Sequence, residues 1–136
     1  MTIADRAVLV TGANRGIGQA LVEEALRRGA KRVYAGTRQP MAHLDGRVTP
    51  LTLEVTNAAQ TQAAVERVES LDVLINNAGL ALYDDLSDRA ALEQHLAVNL
   101  FGTYGGLFSG LRRTVGRLRL RWLRRRWRVV GGSRCG

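Results

Sequence analysis

One glycine-rich turn constrains this chain more than any other feature. The residues TGANRGIG (11–18) follow the apolar run Ala7–Val10 directly and precede a helical pattern. A buried strand that turns into a helix presents backbone N–H groups and the positive end of the helix dipole, an arrangement that binds pyrophosphate. Gly12 permits the tight turn, Gly16 the close approach of phosphates, and Gly18 the packing of helix against strand. The turn therefore predicts a dinucleotide site within a strand-helix-strand unit.

The rest of the first hundred residues alternates short β-rich runs with helical patterns. Strands are predicted at residues 7–10, 32–37, 48–55 and 72–75. Because strands and helices alternate, the predicted fold class is α/β, with a parallel sheet covered by helices on both faces.

Three helical patterns separate or follow these strands. The first ends at Gly29, the second begins at Thr56 or Asn57, and the third begins at Ser87 or Asp88. The third extends to about residue 104. The predicted buried face of the first helix consists of Ile17, Ala20, Leu21 and Ala25.

Three motifs, in order along the chain, resemble the short-chain dehydrogenase/reductase family. Residues 11–18 match the pattern Thr-Gly-x-x-x-Gly-x-Gly, and Asn76–Gly79 (NNAG) match the motif that follows the fourth strand. Asn99 resembles the helix asparagine that supports the family's proton relay. Glu54 and Val55 stand where the family usually has Asp-Val against the adenine ring. The resemblance implies the N-terminal half of a Rossmann-like, doubly wound sheet with strand order 3-2-1-4, incomplete within this chain.

The end of the second strand favours NADP over NAD as the cofactor. An NAD site usually places a carboxylate about 20 residues after the glycine turn, on the ribose 2′-hydroxyl. Here Thr37 and Arg38 end the strand, and no Asp or Glu occurs between Glu24 and Asp45. Arg38 can pair with a 2′-phosphate, and by family analogy Arg15 is a second cation on that side. The cofactor-binding residues that the resemblance implies are Gly12, Asn14, Arg15, Gly16, Ile17, Gly18, Thr37, Arg38, Glu54, Val55, Asn76, Asn77, Ala78 and Gly79.

The family's catalytic pair is absent from the sequence. In the family a tyrosine exchanges a proton with the substrate oxygen, and a lysine four residues later lowers the pKa of that tyrosine. No tyrosine here has such a lysine, since the only lysine is Lys31. Asn99 is the one matched catalytic position, and we expect its amide to bond a nearby backbone carbonyl. Full-length relatives act on small carbonyl or alcohol substrates, whereas this chain is expected to bind the cofactor and be catalytically inactive unless another chain supplies the pair.

Residues 110–136 differ sharply from the rest. They carry ten arginines and no acid, a charge of +10, whereas residues 1–109 carry ten basic and twelve acidic residues, a charge of −2. The composition is typical of translation in a wrong reading frame, so we predict a half-domain at 1–109 and a non-native or disordered tail at 110–136. The alternative is a binding protein that uses the arginine-rich tail on nucleic acid or an anionic membrane.

Other features indicate location and partners. The single cysteine, Cys135, excludes a disulfide within one chain, and no signal-peptide pattern precedes the first strand. A cytoplasmic location is therefore expected. Neither His43 nor His95 has a companion at ligand spacing, so no metal site is expected. An incomplete sheet exposes the edge of its fourth strand, which predicts poor solubility or association of the chain, a homo-oligomer being one form of such association.

Overall fold

A computed structural model of the chain describes residues 2–82, 87–107 and 111. The described strands form one parallel sheet in the order β3-β2-β1-β4, which confirms the predicted α/β class and strand order. The elements follow in the order β1 (Ala7–Thr11), α1 (Gly16–Arg27), β2 (Arg32–Thr37), β3 (Val48–Thr52), α2 (Ala58–Glu66), β4 (Val73–Ile75), α3 (Arg89–Leu96) and a π-helical segment (Ala97–Leu107).

The central strand β1 is buried on both faces. All five of its residues are buried, and the side chains of the first four alternate between two apolar clusters. Val8 and Val10 pack with Val22 of α1 on one face, whereas Leu9 packs with Val65 of α2 on the other. This two-sided burial explains why the strand is an unbroken apolar run rather than an alternating one.

Helix α1 begins at the glycine turn and ends at the predicted glycine. Gly29 has φ of 81°, which favours glycine, and its N–H donates to a carbonyl in the last helical turn at 3.0 Å. The buried face includes Val22 and Ala25, but Ile17 and Ala20 are exposed. The predicted buried face is therefore wrong at Ile17 and Ala20; Ile17 is exposed because the first turn of α1 stands at the rim of a cavity rather than over the sheet.

Two of the predicted capping residues begin α2 and α3. The Oδ1 atom of Asn57 accepts the N–H of Gln60 at 3.0 Å, and Oδ1 of Asp88 accepts the N–H of Ala90 at 2.8 Å. Each cap satisfies a backbone donor that a helix start otherwise leaves free. Helix α3 continues into the π-helical segment, so the long predicted helix is present but changes its winding at Ala97.

Leu111 packs in the core although it follows residue 109, where the half-domain is predicted to end. It is fully buried, in the same cluster as Leu9 and Tyr34. The other residues of the predicted tail, 110 and 112–136, lie outside the described residues, so the domain boundary stays a prediction. Among those that are described, β4 pairs only with β1, and its side chains are half-buried.

A carboxylate joins the starts of β1 and β4. The Oδ2 atom of Asp72 accepts the N–H of Ala7 at 2.9 Å, and the N–H of Asp72 donates to the carbonyl of Ala7 at 2.9 Å. Arg6 adds an ion pair, with Nη1 at 3.2 Å from Oδ1. The hydrogen bond from the N–H of Ala7, helped by Arg6, lowers the pKa of Asp72.

We expect this carboxylate to stabilise the fold at neutral pH and not in acid. Its folded pKa lies below the unfolded value of about 3.9, so its contribution is present above that pH and is lost as the pH falls through the folded pKa. Urea unfolding of wild type and Asp72→Asn should give a difference in free energy of unfolding that shrinks below about pH 4. Glu69→Gln, on an exposed side chain, is the control. A difference that does not change with pH would contradict the prediction.

We also expect Leu111 to contribute to stability as a core residue. Leu111→Ala should lower the free energy of unfolding by about 2–5 kcal/mol, because truncating a buried leucine leaves a cavity. Leu44 is fully exposed, so Leu44→Ala should stay within about 0.5 kcal/mol of wild type. Urea unfolding followed by circular dichroism measures both. Equal effects of the two substitutions would show that residue 111 lies outside the domain, as the predicted boundary has it.

Candidate functional site

A cavity of about 880 Å³ opens at the carboxyl ends of the strands. This is the usual position of a ligand in an open parallel sheet, and the volume suits a small molecule or cofactor. The predicted cofactor residues that line it are Gly12, Asn14, Arg15, Gly16, Ile17, Gly18, Arg38, Glu54, Val55, Asn77, Ala78 and Gly79. The remaining lining residues come from the chain after β3, the chain after NNAG, α3 and the π-helical segment: Leu53, Thr56, Leu80, Ala81, Gln94, Ala97 and Val98.

Within the glycine turn, Gly18 is closely packed whereas Gly16 is open to solvent. A Cβ atom on Gly18 would lie 2.0 Å from the carbonyl oxygen of Gly12, so the helix could not pack this closely with any other residue there. Gly16 has φ of 53°, and a Cβ atom at this position would meet nothing within 4 Å. The backbone at Gly16 is therefore accessible, as close approach of a phosphate requires.

The N-terminus of α1 has no side-chain cap. Arg15 occupies the capping position in an extended conformation, makes no capping hydrogen bond, and no acidic residue stands in the first turn. Helices α2 and α3 have such caps, from Asn57 and Asp88. Within the described residues, the first N–H groups of α1 thus have no side-chain acceptor, at an end where the helix dipole favours an anion.

Thr11 joins the two motifs at the cavity, and the sequence analysis did not single it out. Its buried hydroxyl oxygen accepts the N–H of Asn77 at 3.0 Å and that of Ala78 at 2.9 Å. In return, Nδ2 of Asn77 donates to the carbonyls of Thr11 and Gly12 at 3.1 and 3.3 Å. A threonine at the end of a buried strand, just before the turn, was the available signal.

Three predicted site residues do not line the cavity. Thr37 is buried, and its hydroxyl donates to the carbonyl of Gln39 at 2.5 Å. Asn76 is exposed on the surface. Asn99 makes two bonds to the backbone of Leu80: Oδ1 accepts its N–H and Nδ2 donates to its carbonyl, both at 2.8 Å. The expected backbone bond of Asn99 is present, and it fixes the chain that follows NNAG.

Two arginines give the cavity a positive rim. Arg15 is exposed and forms no ion pair within the described part of the chain. The side chain of Arg38 is 70% exposed, and its Nε lies 4.0 Å from Oε2 of Glu54. Sequence reasoning assigned Arg38 and Glu54 to the site separately and did not foresee this pairing.

Each of the two histidines forms a hydrogen bond with another residue of the chain. Nε2 of His43 lies 3.1 Å from Oε1 of Glu23, and Nε2 of His95 accepts the N–H of Leu82 at 2.7 Å. Over residues 2–82, 87–107 and 111, no three His, Cys, Asp or Glu side chains are grouped as a metal site. Within the same residues, no helix has the length and apolar character to cross a bilayer.

Comparison with known proteins gives consistent matches. The sequence model of the family described as short chain dehydrogenase matches residues 6–115. The 3-ketodihydrosphingosine reductase of Bacteroides thetaiotaomicron is 33% identical over 101 residues, a match that covers 70% of this chain and 37% of that protein.

Solved structures with the same fold include members with either nicotinamide cofactor. A short chain dehydrogenase from Burkholderia cenocepacia in complex with NADP has a TM-score of 0.74 and 36% identity, covering 85% of this chain and 49% of that one. One from Leptospira borgpetersenii with bound NAD+ has a TM-score of 0.69 and 28% identity, covering 81% and 46%. The chain thus spans about half or less of the length of these proteins. Because the family model matches most of its residues, this chain belongs to the short-chain dehydrogenase family.

Proposed function

We propose that this chain binds NADP in the cavity at the end of its sheet. The observation that carries the proposal is the N-terminus of α1 at that cavity, which has no side-chain cap from Arg15 and whose first residue, Gly16, has an accessible backbone. Free N–H groups and a positive helix end suit the pyrophosphate, whereas Val55 and Leu53 offer apolar contacts suited to an adenine ring.

The preference for NADP over NAD rests on charge. Arg38 directly follows β2, where an NAD site usually has a carboxylate, and Arg15 lines the same cavity. Guanidinium groups bind phosphate through paired, charge-assisted hydrogen bonds. The Burkholderia relative that shares this fold is in complex with NADP.

We infer that these 136 residues bind and orient the cofactor but do not move the substrate proton themselves. The bound dinucleotide would supply hydride transfer, and a small carbonyl or alcohol is the corresponding substrate class. The sequence holds no Tyr-x-x-x-Lys, and the amide of Asn99 is occupied by the backbone of Leu80. A cytoplasmic location and self-association are further predictions.

Arg38→Ala should abolish the preference for NADPH. Charge-assisted hydrogen bonds contribute about 1.5–3 kcal/mol, so NADPH affinity should fall at least about tenfold, while NADH affinity changes less than about twofold. Calorimetric titration of the full chain with each cofactor measures this. Arg67→Ala, which removes an exposed arginine that does not line the cavity, is the matched control. If wild type and Arg38→Ala each bound the two cofactors equally well, the assignment of Arg38 would be wrong.

The chain saturated with NADPH should not oxidise it in the presence of small aldehydes or ketones. The physical reason is that a phenol of pKa about 10 gives up its proton near neutral pH only with a neighbouring cation, and the sequence holds no Tyr-x-x-x-Lys to supply the family's pair. Loss of the nicotinamide absorbance over time is the measurement. Turnover that disappears in Arg38→Ala would contradict the prediction, because it would show that this chain has a proton donor of its own.

A further inference from the structure

We infer that Glu54 is a specificity-determining residue that competes with the cofactor's 2′-phosphate for Arg38. Its carboxylate pairs with the guanidinium that the phosphate requires, and thereby weakens the preference for NADP over NAD. This inference rests on the proposed function, since it concerns the same cavity.

The geometry sets Glu54 against Arg38 at the cavity wall. Both residues line the cavity, and Oε2 of Glu54 lies 4.0 Å from Nε of Arg38. The other carboxylate oxygen, Oε1, accepts the hydroxyl of Thr56 at 3.2 Å. One oxygen is therefore held by the protein while the other faces the arginine.

The backbone of Glu54 is fixed from two sides. Its N–H donates to Oε1 of Gln60 at 2.8 Å, and its carbonyl accepts the N–H of Asn57 at 2.9 Å. Asn57 is also the cap of α2, so the start of that helix fixes the peptide that carries the carboxylate. The side chain of Glu54 is only 30% exposed, against 70% for Arg38. Of the two partners, the carboxylate is the one held in place.

The negative charge of Glu54 therefore disfavours the binding of NADP more than that of NAD. A phosphate monoester carries about −1.5 to −2 at neutral pH. When it binds Arg38, either the ion pair with Glu54 is lost or the carboxylate remains beside a second anion, and both disfavour binding. NAD has a hydroxyl in place of this phosphate and meets neither penalty. Because Arg38 is well exposed, solvent and salt screen the interaction, so the effect is modest.

Glu54→Gln should therefore raise the ratio of NADPH affinity to NADH affinity about threefold to fivefold at low salt, and this ratio cancels any effect on contacts that the two cofactors share. In the Arg38→Ala background the same substitution should change this ratio less than about 1.5-fold, because the competition acts through that arginine. Glu66→Gln, which removes an equal charge from α2 outside the cavity, is the matched control. Calorimetric titration measures all these affinities, and circular dichroism checks that each variant is folded.

A second variant keeps the inference testable if Glu54→Gln does not fold. Glu54→Asp keeps the charge but draws it back from Arg38 by one methylene, so it should raise the NADPH to NADH affinity ratio less than Glu54→Gln does. The wild-type ratio unchanged or lowered in both variants would overturn the inference, and so would an equal gain with and without Arg38. If folded wild type bound neither dinucleotide, the proposed function itself would fail.

Discussion

The hydroxyl of Thr11 is the contact on which the rest of the site depends. It lies at the end of β1 and accepts two backbone N–H groups from the chain that leaves β4, at Asn77 and Ala78. A hydroxyl oxygen has two lone pairs, so both acceptor positions are used. Without this oxygen two part-buried donors would be left unsatisfied, at a cost of about 1–3 kcal/mol each. The glycine turn and the NNAG segment are therefore parts of one hydrogen-bonded unit.

The sequence alone located the strands whose apolar runs reflect burial on both faces of the sheet. The predicted bounds of β2, Arg32–Thr37, coincide with those observed, and β1 differs by a single residue. The strand predicted at 48–55 ends earlier, at Thr52. Its apolar pattern continues, and the N–H of Leu53 still donates to the carbonyl of Thr37 at 2.7 Å, but the partner strand β2 ends at Thr37. Periodicity along one segment does not show where its neighbouring strand ends.

The sequence predicted which residues lie at the site, but it did not predict which of them contact one another. Motif order brought nearly all the assigned residues to one cavity, yet Thr37 turned its hydroxyl away to Gln39. The pairing of Arg38 with Glu54 depends on the register between β2 and β3, in which Thr37 stands opposite Thr52. That register follows from packing between distant segments, so one sequence read along its length does not give it.

In the function we propose, cofactor binding does not depend on the residues that move the substrate proton in the family. The backbone N–H groups that would face the phosphates belong to α1, and the cavity walls to the strand ends and the π-helical segment, all within the described residues. Each βαβαβ half of a doubly wound sheet is a mononucleotide-binding unit. Asn99 has a structural contact of its own, because its amide makes two hydrogen bonds to the backbone of Leu80 at the cavity wall. The position that resembles the family's relay asparagine thus also supports the shape of the cavity.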